Sequence, residues 1–408
     1  MFGRFAVFLC LFLGGFARFS GAQTAISPPD LEFIETIRAA QLNERAVRMF
    51  GRDALPATQS GVSSFRVRYR ARDRNGQPVT LSALVVLPEN GAPRGLVVAN
   101  HGTTFDRRLS PSRFRFASGA RETLQVVLAF STGGYALAMP DYFGLGDHSG
   151  PRRFPLGKLN ASSATSLVVA ARFVAKSRQI AVGNRLFLTG YSEGAAVALW
   201  AQRELENGPK SGWPTRVAPL CGPYDLSGAT RVAMLRKPRN FSDFGAQLFL
   251  LAGAVHSFSQ LHKTPLSRYF APRMASAVAG AFTPNATDES IVSRLVWAAI
   301  AMRARDWNDV LNPAFLRALQ QLDTREPLVK TFRENDVFDW KPQAPTLLTA
   351  LENDAIVPEQ NSKNALAAMR KRGAKNVEIE WIRNPKLNHI SATGPAFLRA
   401  RAFFDGAN

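Results

Sequence analysis

The stretch RLFLTGYSEGAAVALWAQRE, residues 185–204, constrains the fold more than any other part of the chain. It runs from an apolar strand, through a tight turn, into an Ala-rich helix. The turn carries G-x-S-x-G as Gly190, Ser192 and Gly194. Small residues on either side of the serine let the chain reverse sharply, where bulkier side chains would strike neighbouring elements. Such a turn would expose the Ser192 hydroxyl at the carboxyl end of a sheet. The N-terminus of the following helix would bring partial positive charge near it. The motif is short. Whether Ser192 is a nucleophile or an ordinary turn serine depends on what else the chain supplies.

The surrounding chain repeats the rhythm of that stretch. Residues 31–50 carry a helical pattern. Residues 64–90 alternate large and charged residues around Asn75-Gly76, which is a hairpin signal. Then come the apolar run GLVVAN, the helical RETLQVVLAF, the buried-strand pattern YALAMP and a long helix of small and apolar residues from Asn160. RVAPLC is strand-like again. From about 222 to 340 helical patterns dominate, and no clear strand appears. The rhythm returns with PTLLTALEND, a helix from about 359 to 371, NVEIEWI, and a closing helix from about 392 to 404. Apolar strands alternating with helices imply an α/β protein with a mostly parallel sheet covered on both faces. A helical insertion follows its sixth or seventh strand. The expected organisation is a leader over 1–22, a helical segment over 23–64, and a core over 65–221 and 341–408. The insertion over 222–340 interrupts that core.

The first residues, MFGRFAVFLCLFLGGFARFSGAQ, have one early cation, Arg4, then an apolar run from Phe5 to Ala17. Ser20, Gly21 and Ala22 follow. This is the layout of a secretory signal peptide cleaved near Ala22, and the run is short for a bilayer span. Export is therefore expected, with no membrane-spanning segment in the mature chain. Cleavage removes Cys10 and leaves Cys221, which reads as a small buried hydrophobe. The net charge is +20, of which the leader carries Arg4 and Arg18. The cations are spread along the chain and no nucleic-acid-binding motif accompanies them, so nucleic acid is not an expected partner. Peripheral association with anionic surfaces is the reading the charge favours.

A serine hydroxyl attacks only when a base takes its proton. In a strand–turn–helix site of this kind the order is nucleophile, acid, histidine. His256 and His262 fall in the helical insertion. His389 falls in a loop just ahead of the last helix, where the base belongs. The acid should follow the penultimate strand, where ENDAIVP offers Glu352 and Asp354. Asp354 fits better, and an Asx turn or helix cap is the alternative role for it. Backbone N–H groups must meet the oxyanion of a tetrahedral intermediate. One comes from Glu193, just after the serine. The other comes from the loop ANHGTTFD, where Thr103 is the expected donor and Thr104 stands behind it. His101 in that loop reads as structural support. Asp147-His148 could be half a metal site, but no matching ligand cluster lies nearby in sequence, so no metal is expected. Tyr142, Gly144 and Gly146 read as a wall of the site.

In order, His101-Gly102, PDYFGLG, GYSEGA, CGPYDL, ENDAIVP and NHISA resemble the α/β-hydrolase superfamily. Within it the pattern resembles the secretory lipase family, which is similar to fungal lipase A, over roughly residues 65 to 404. The resemblance implies that Ser192, Asp354 and His389 form a triad and that residues 222–340 form a cap or lid. It also implies hydrolysis of small-molecule or lipid esters without a cofactor. A serine peptidase or an acyltransferase could use the same three residues. A peptidase of this fold often carries a large N-terminal domain, and the short segment before the hairpin cannot form one. A non-catalytic binding protein on the same scaffold would be marked by loss of Ser, Asp or His, and all three are present.

Overall fold

A computed structural model describes residues 28–407. The expected leader, with Cys10, lies outside the described residues. Among the described residues nine strands form one sheet: β1 Asp30–Ile37, β2 Val62–Arg72, β3 Pro78–Pro88, β4 Leu96–Asn100, β5 Ala136–Pro140, β6 Leu186–Tyr191, β7 Arg216–Leu220, β8 Thr346–Leu351 and β9 Val377–Ile382. Their order is β1-β2-β3-β5-β4-β6-β7-β8-β9. The pairs from β1 to β5 are antiparallel, and every pair from β5 onward is parallel.

Helices cover both faces. Those of the core are α1 Ala39–Phe50, α2 Arg121–Ser131, α3 Gly157–Ser177 and α4 Glu193–Glu206. Between β7 and β8 come α5 Arg231–Leu235, α6 Phe241–His262, α7 Pro272–Ala281, α8 Asp288–Ala301, α9 Trp307–Val310, α10 Pro313–Gln321 and α11 Pro327–Glu334. The core resumes with α12 Gln360–Lys371 and α13 Thr393–Asp405.

The central strands are buried on both sides, so they read as continuous apolar runs. Alternate residues then split between two cores. Leu96, Val98, Leu186 and Leu188 join α3, α4 and α12 on one face. Val97, Ala99, Phe187 and Tyr191 join α1, α2 and α13 on the other. Each fully buried Leu, Val or Phe side chain contributes roughly 1.5–3 kcal/mol. The helices between β7 and β8 bury a third core of their own, into which Phe105 and Phe154 reach from the loops after β4 and β5.

The helical pattern over 31–50 holds only from Ala39. Asp30–Ile37 is an edge strand paired with β2. A bulge between Phe33 and Glu35 breaks its period-two alternation. Leu31, Ile34 and Ile37 then recur at the spacing of a helix. The edge is charged: Glu32 and Asp30 pair with Arg66 and Arg68 of β2.

Connections leave β4 and β6 in opposite directions. The chain goes from β4 through α2 to β5 on one side, and from β6 through α4 to β7 on the other. Open α/β sheets hold their ligands in the crevice at such a switch point, beyond the carboxyl ends of the strands. The loops that start at Asn100 and Tyr191 meet there.

Candidate active site

Ser192 sits between β6 and α4 with φ 55° and ψ −120°, a conformation a non-glycine residue rarely adopts. Its N–H is held by the Leu220 carbonyl at 2.9 Å. A Cβ on Gly190 would come within 2.3 Å of the Gly194 carbonyl oxygen, and one on Gly194 within 2.0 Å of the Asn100 oxygen. Both glycines are therefore dictated by the approach of α4 to the backbone after β4.

Three residues distant in sequence converge here. His389 lies in the loop between β9 and α13, and its Nε2 is 2.9 Å from Ser192 Oγ. Its Nδ1 is 2.6 Å from Asp354 Oδ2. A proton on Nδ1 shared with Asp354 leaves Nε2 free to accept from the serine hydroxyl. Tyr191 donates its hydroxyl to the His389 carbonyl at 2.6 Å, so the residue beside the serine also holds the histidine loop. His389 and Asp354 are buried, whereas Glu352 is exposed and takes no part.

Thr103 follows β4, and Glu193 opens α4. Among the described residues neither backbone N–H meets a protein acceptor. The loop is fastened around Thr103. Gly102 N–H donates to Glu122 at 2.9 Å, and the Thr104 carbonyl accepts from Arg152 at 3.1 Å. Burial pushes the Glu122 carboxyl up to about 7, against the Gly102 hydrogen bond and with help from Glu193. The Glu193 carboxyl is also raised by burial, opposed by Arg152, Thr103 and Asn160.

His101 is packed inside the loop after β4. Its ring stacks on Tyr142 at 4.2 Å, and its nitrogens face the carbonyls of Gly102 and Asp141. Burial, then Arg152, lowers it to about 4, so it is neutral. Asp147 pairs with Arg66, and His148 Nδ1 accepts the N–H groups of Gly144 and Gly150. Those contacts occupy both residues in holding the loop after β5. Among the described residues no group of three or more His, Cys, Asp or Glu is placed to hold a metal. His256 and His262 stack on Phe282 and Phe258. Cys221 is buried and unpaired. No helix among the described residues is long and apolar enough to cross a membrane.

Glu122, Arg152, Asn160 and Tyr191 were not anticipated. The available signal was Glu193 itself: a carboxylate opening an otherwise apolar helix must find a buried partner.

The fold is the α/β-hydrolase fold. No protein-family model matches the sequence, and no curated protein sequence matches it. Solved structures do. A Legionella pneumophila protein described as a candidate hydrolase aligns with TM-score 0.82 and 22% identity, over 93% of this chain and 97% of its own. The rice cell wall degrading esterase LipA from Xanthomonas oryzae aligns with TM-score 0.77 and 20% identity, over 93% and 98%. Candida antarctica lipase A in its closed state aligns with TM-score 0.65 and 14% identity, over 93% and 82%. The resemblance to lipase A-like proteins therefore holds at the level of fold.

Proposed function

We propose that this chain is a serine hydrolase that cleaves carboxylic esters, with Ser192 as nucleophile, His389 as base and Asp354 as the acid that orients it. The observation that carries this reading is the continuous hydrogen-bonded line from Ser192 Oγ through His389 to Asp354, at 2.9 and 2.6 Å. It stands at the switch point of the sheet, where the fold gathers its loops. The esterase and lipase among the structural neighbours support the choice of ester over other acyl groups.

In this mechanism His389 takes the Ser192 proton as Oγ attacks the ester carbonyl carbon. Asp354 stabilises the imidazolium that forms. The N–H groups of Thr103 and Glu193 receive the oxyanion, aided by the N-terminus of α4. The imidazolium then gives its proton to the departing alkoxide, leaving an acyl-enzyme. Water, deprotonated by the same histidine, releases the acid. The helices between residues 222 and 340 act as a cap whose apolar core borders the acyl-binding side. The N-terminal 22 residues direct export, and the charge that remains once Arg4 and Arg18 leave (+20 less 2, or +18) favours anionic surfaces.

The test is hydrolysis of p-nitrophenyl esters of increasing acyl length by purified protein beside Ser192→Ala. Activity in the first and none in the second supports the reading. A folded wild type that cleaves none of them overturns it.

A further inference from the structure

Arg152 and Glu193 form a buried ion pair, with side chains 5% and 3% exposed. Burying two charges is costly and seldom gains stability over a packed apolar pair. The geometry around this pair gives it another use.

Glu193 bears one expected oxyanion donor on its backbone. Its carboxylate accepts from Arg152 Nη2 at 2.7 Å and from Asn160 Nδ2 at 3.1 Å. Thr103, which bears the other expected donor, lies close enough for its hydroxyl to favour the charged form of that carboxylate. The same guanidinium reaches through Nε to the Thr104 carbonyl at 3.1 Å. It lies over the Tyr142 ring, whose hydroxyl donates to the His101 carbonyl. One planar side chain thus grips the first residue of α4 and the loop after β4 together. Only a guanidinium offers donors at that fixed spread. An ammonium is a single point charge.

We propose that Arg152 and the Glu193 side chain are positioning residues that set the separation of the Thr103 and Glu193 N–H groups for the oxyanion. This rests on the ester-hydrolase reading of Ser192. Neither side chain hydrogen-bonds to Ser192 Oγ, whose partner is His389. It acts through the two backbone donors, so its effect falls on the transition state and leaves substrate binding alone.

Removing one oxyanion donor outright costs about 10²–10³ in kcat. Displacing one should cost about 10–100-fold. Three variants separate geometry from charge. Arg152→Lys keeps the charge and loses the fork. Glu193→Gln keeps the shape and loses the charge. Arg152→Met with Glu193→Gln leaves no unpaired buried ion, so it folds where Arg152→Met alone fails. The expected result for Arg152→Lys and the double variant is kcat on p-nitrophenyl butyrate down about 10–100-fold, with KM within about twofold. The Ki for an octyl trifluoromethyl ketone, whose adduct with Ser192 carries the oxyanion, should rise in proportion. Wild-type kcat and Ki in both variants, with an active wild type, overturn this inference alone. A wild type that neither hydrolyses the ester nor reacts with a fluorophosphonate overturns the ester-hydrolase reading and this inference with it.

Discussion

Asp354 faces His389 and its own backbone at once. Oδ2 is 2.6 Å from His389 Nδ1, while Oδ1 accepts the N–H groups of Ile356 and Val357 at 2.9 and 3.0 Å. The two roles weighed for this residue, histidine partner and turn former, are both filled. The turn fixes the carboxylate plane and so aims the second oxygen at the imidazole.

That division predicts the behaviour of Asp354→Asn. The amide oxygen can keep the turn, while the amide nitrogen facing Nδ1 can only donate. The imidazole is then forced into the tautomer with its proton on Nε2, which cannot accept from Ser192. Ester turnover should fall by about 10⁴-fold, as for the equivalent change in a serine protease triad. The melting temperature should change by only a few degrees. Kinetics on p-nitrophenyl butyrate and a thermal melt check both. An active Asp354→Asn variant would remove Asp354 from the proposed triad.

Gly194 and Gly183 predict a contrast in stability. Gly194→Ala drives a methyl to 2.0 Å from the Asn100 oxygen, and only backbone movement relieves it. The expected result is little soluble protein, or a loss above about 3 kcal/mol with no ester turnover. Gly183 has no atom within 4 Å of an added Cβ. Gly183→Ala should be neutral or stabilising by about 0.4–1 kcal/mol, through reduced freedom of the unfolded chain. Urea titrations of the two variants read the difference directly.

What could be read from the sequence was mostly local. Gly190, Ser192 and Gly194 carry strand, turn and helix within one short stretch, and the sterics that demand them act between near neighbours. The candidates His389 and Asp354 follow from the chain order expected of such a site, which points to one loop for each. The edge strand β1 was missed because its bulge imitates a helical period. The Arg152–Glu193 pair was missed for another reason. Arg152 and Arg153 are adjacent in PRRFP, and nothing in the sequence says which one turns inward. That is settled by packing between a loop residue and the first residue of α4, 41 positions further on.

Phe105 joins the loop after β4 to the helices between β7 and β8. Its ring meets Phe154, Phe249 and Phe282 edge-on at 5.8, 5.5 and 4.8 Å. Its N–H donates to Asp288 at the start of α8, at 2.7 Å. Phe105→Ala should cost about 3–5 kcal/mol. Gly253 in α6 supplies a sharper check, because a Cβ there would lie 2.5 Å from the Phe105 ring. Gly253→Ala should therefore destabilise the wild type. In the Phe105→Ala background the space is open, and the same change should stabilise by about 0.5–1 kcal/mol as alanine replaces glycine within a helix. Denaturant midpoints of the four proteins give the cycle. Additive effects would mean that the ring and α6 do not meet.

Glu122 predicts a pH dependence of stability whose sign follows from burial. Its carboxyl is pushed from the ordinary 4.5 up to about 7, first by burial and then by the charge of Glu193. A carboxyl whose folded value lies above its unfolded one binds its proton more tightly in the folded chain. The contribution is therefore full below about pH 4.5 and is lost as pH rises through about 7. Its size is on the order of 1–3 kcal/mol, since each pKa unit corresponds to about 1.4 kcal/mol. Glu122→Gln keeps an oxygen for the Gly102 N–H and cannot ionise. The variant and the wild type should melt together near pH 5, and the variant should melt a few degrees higher near pH 8. Thermal melts at the two pH values decide the matter. A difference that is the same at both would mean that Glu122 does not titrate in this range. A variant less stable only at pH 8 would mean that the carboxylate is favoured in the fold and that the Gly102 hydrogen bond outweighs burial.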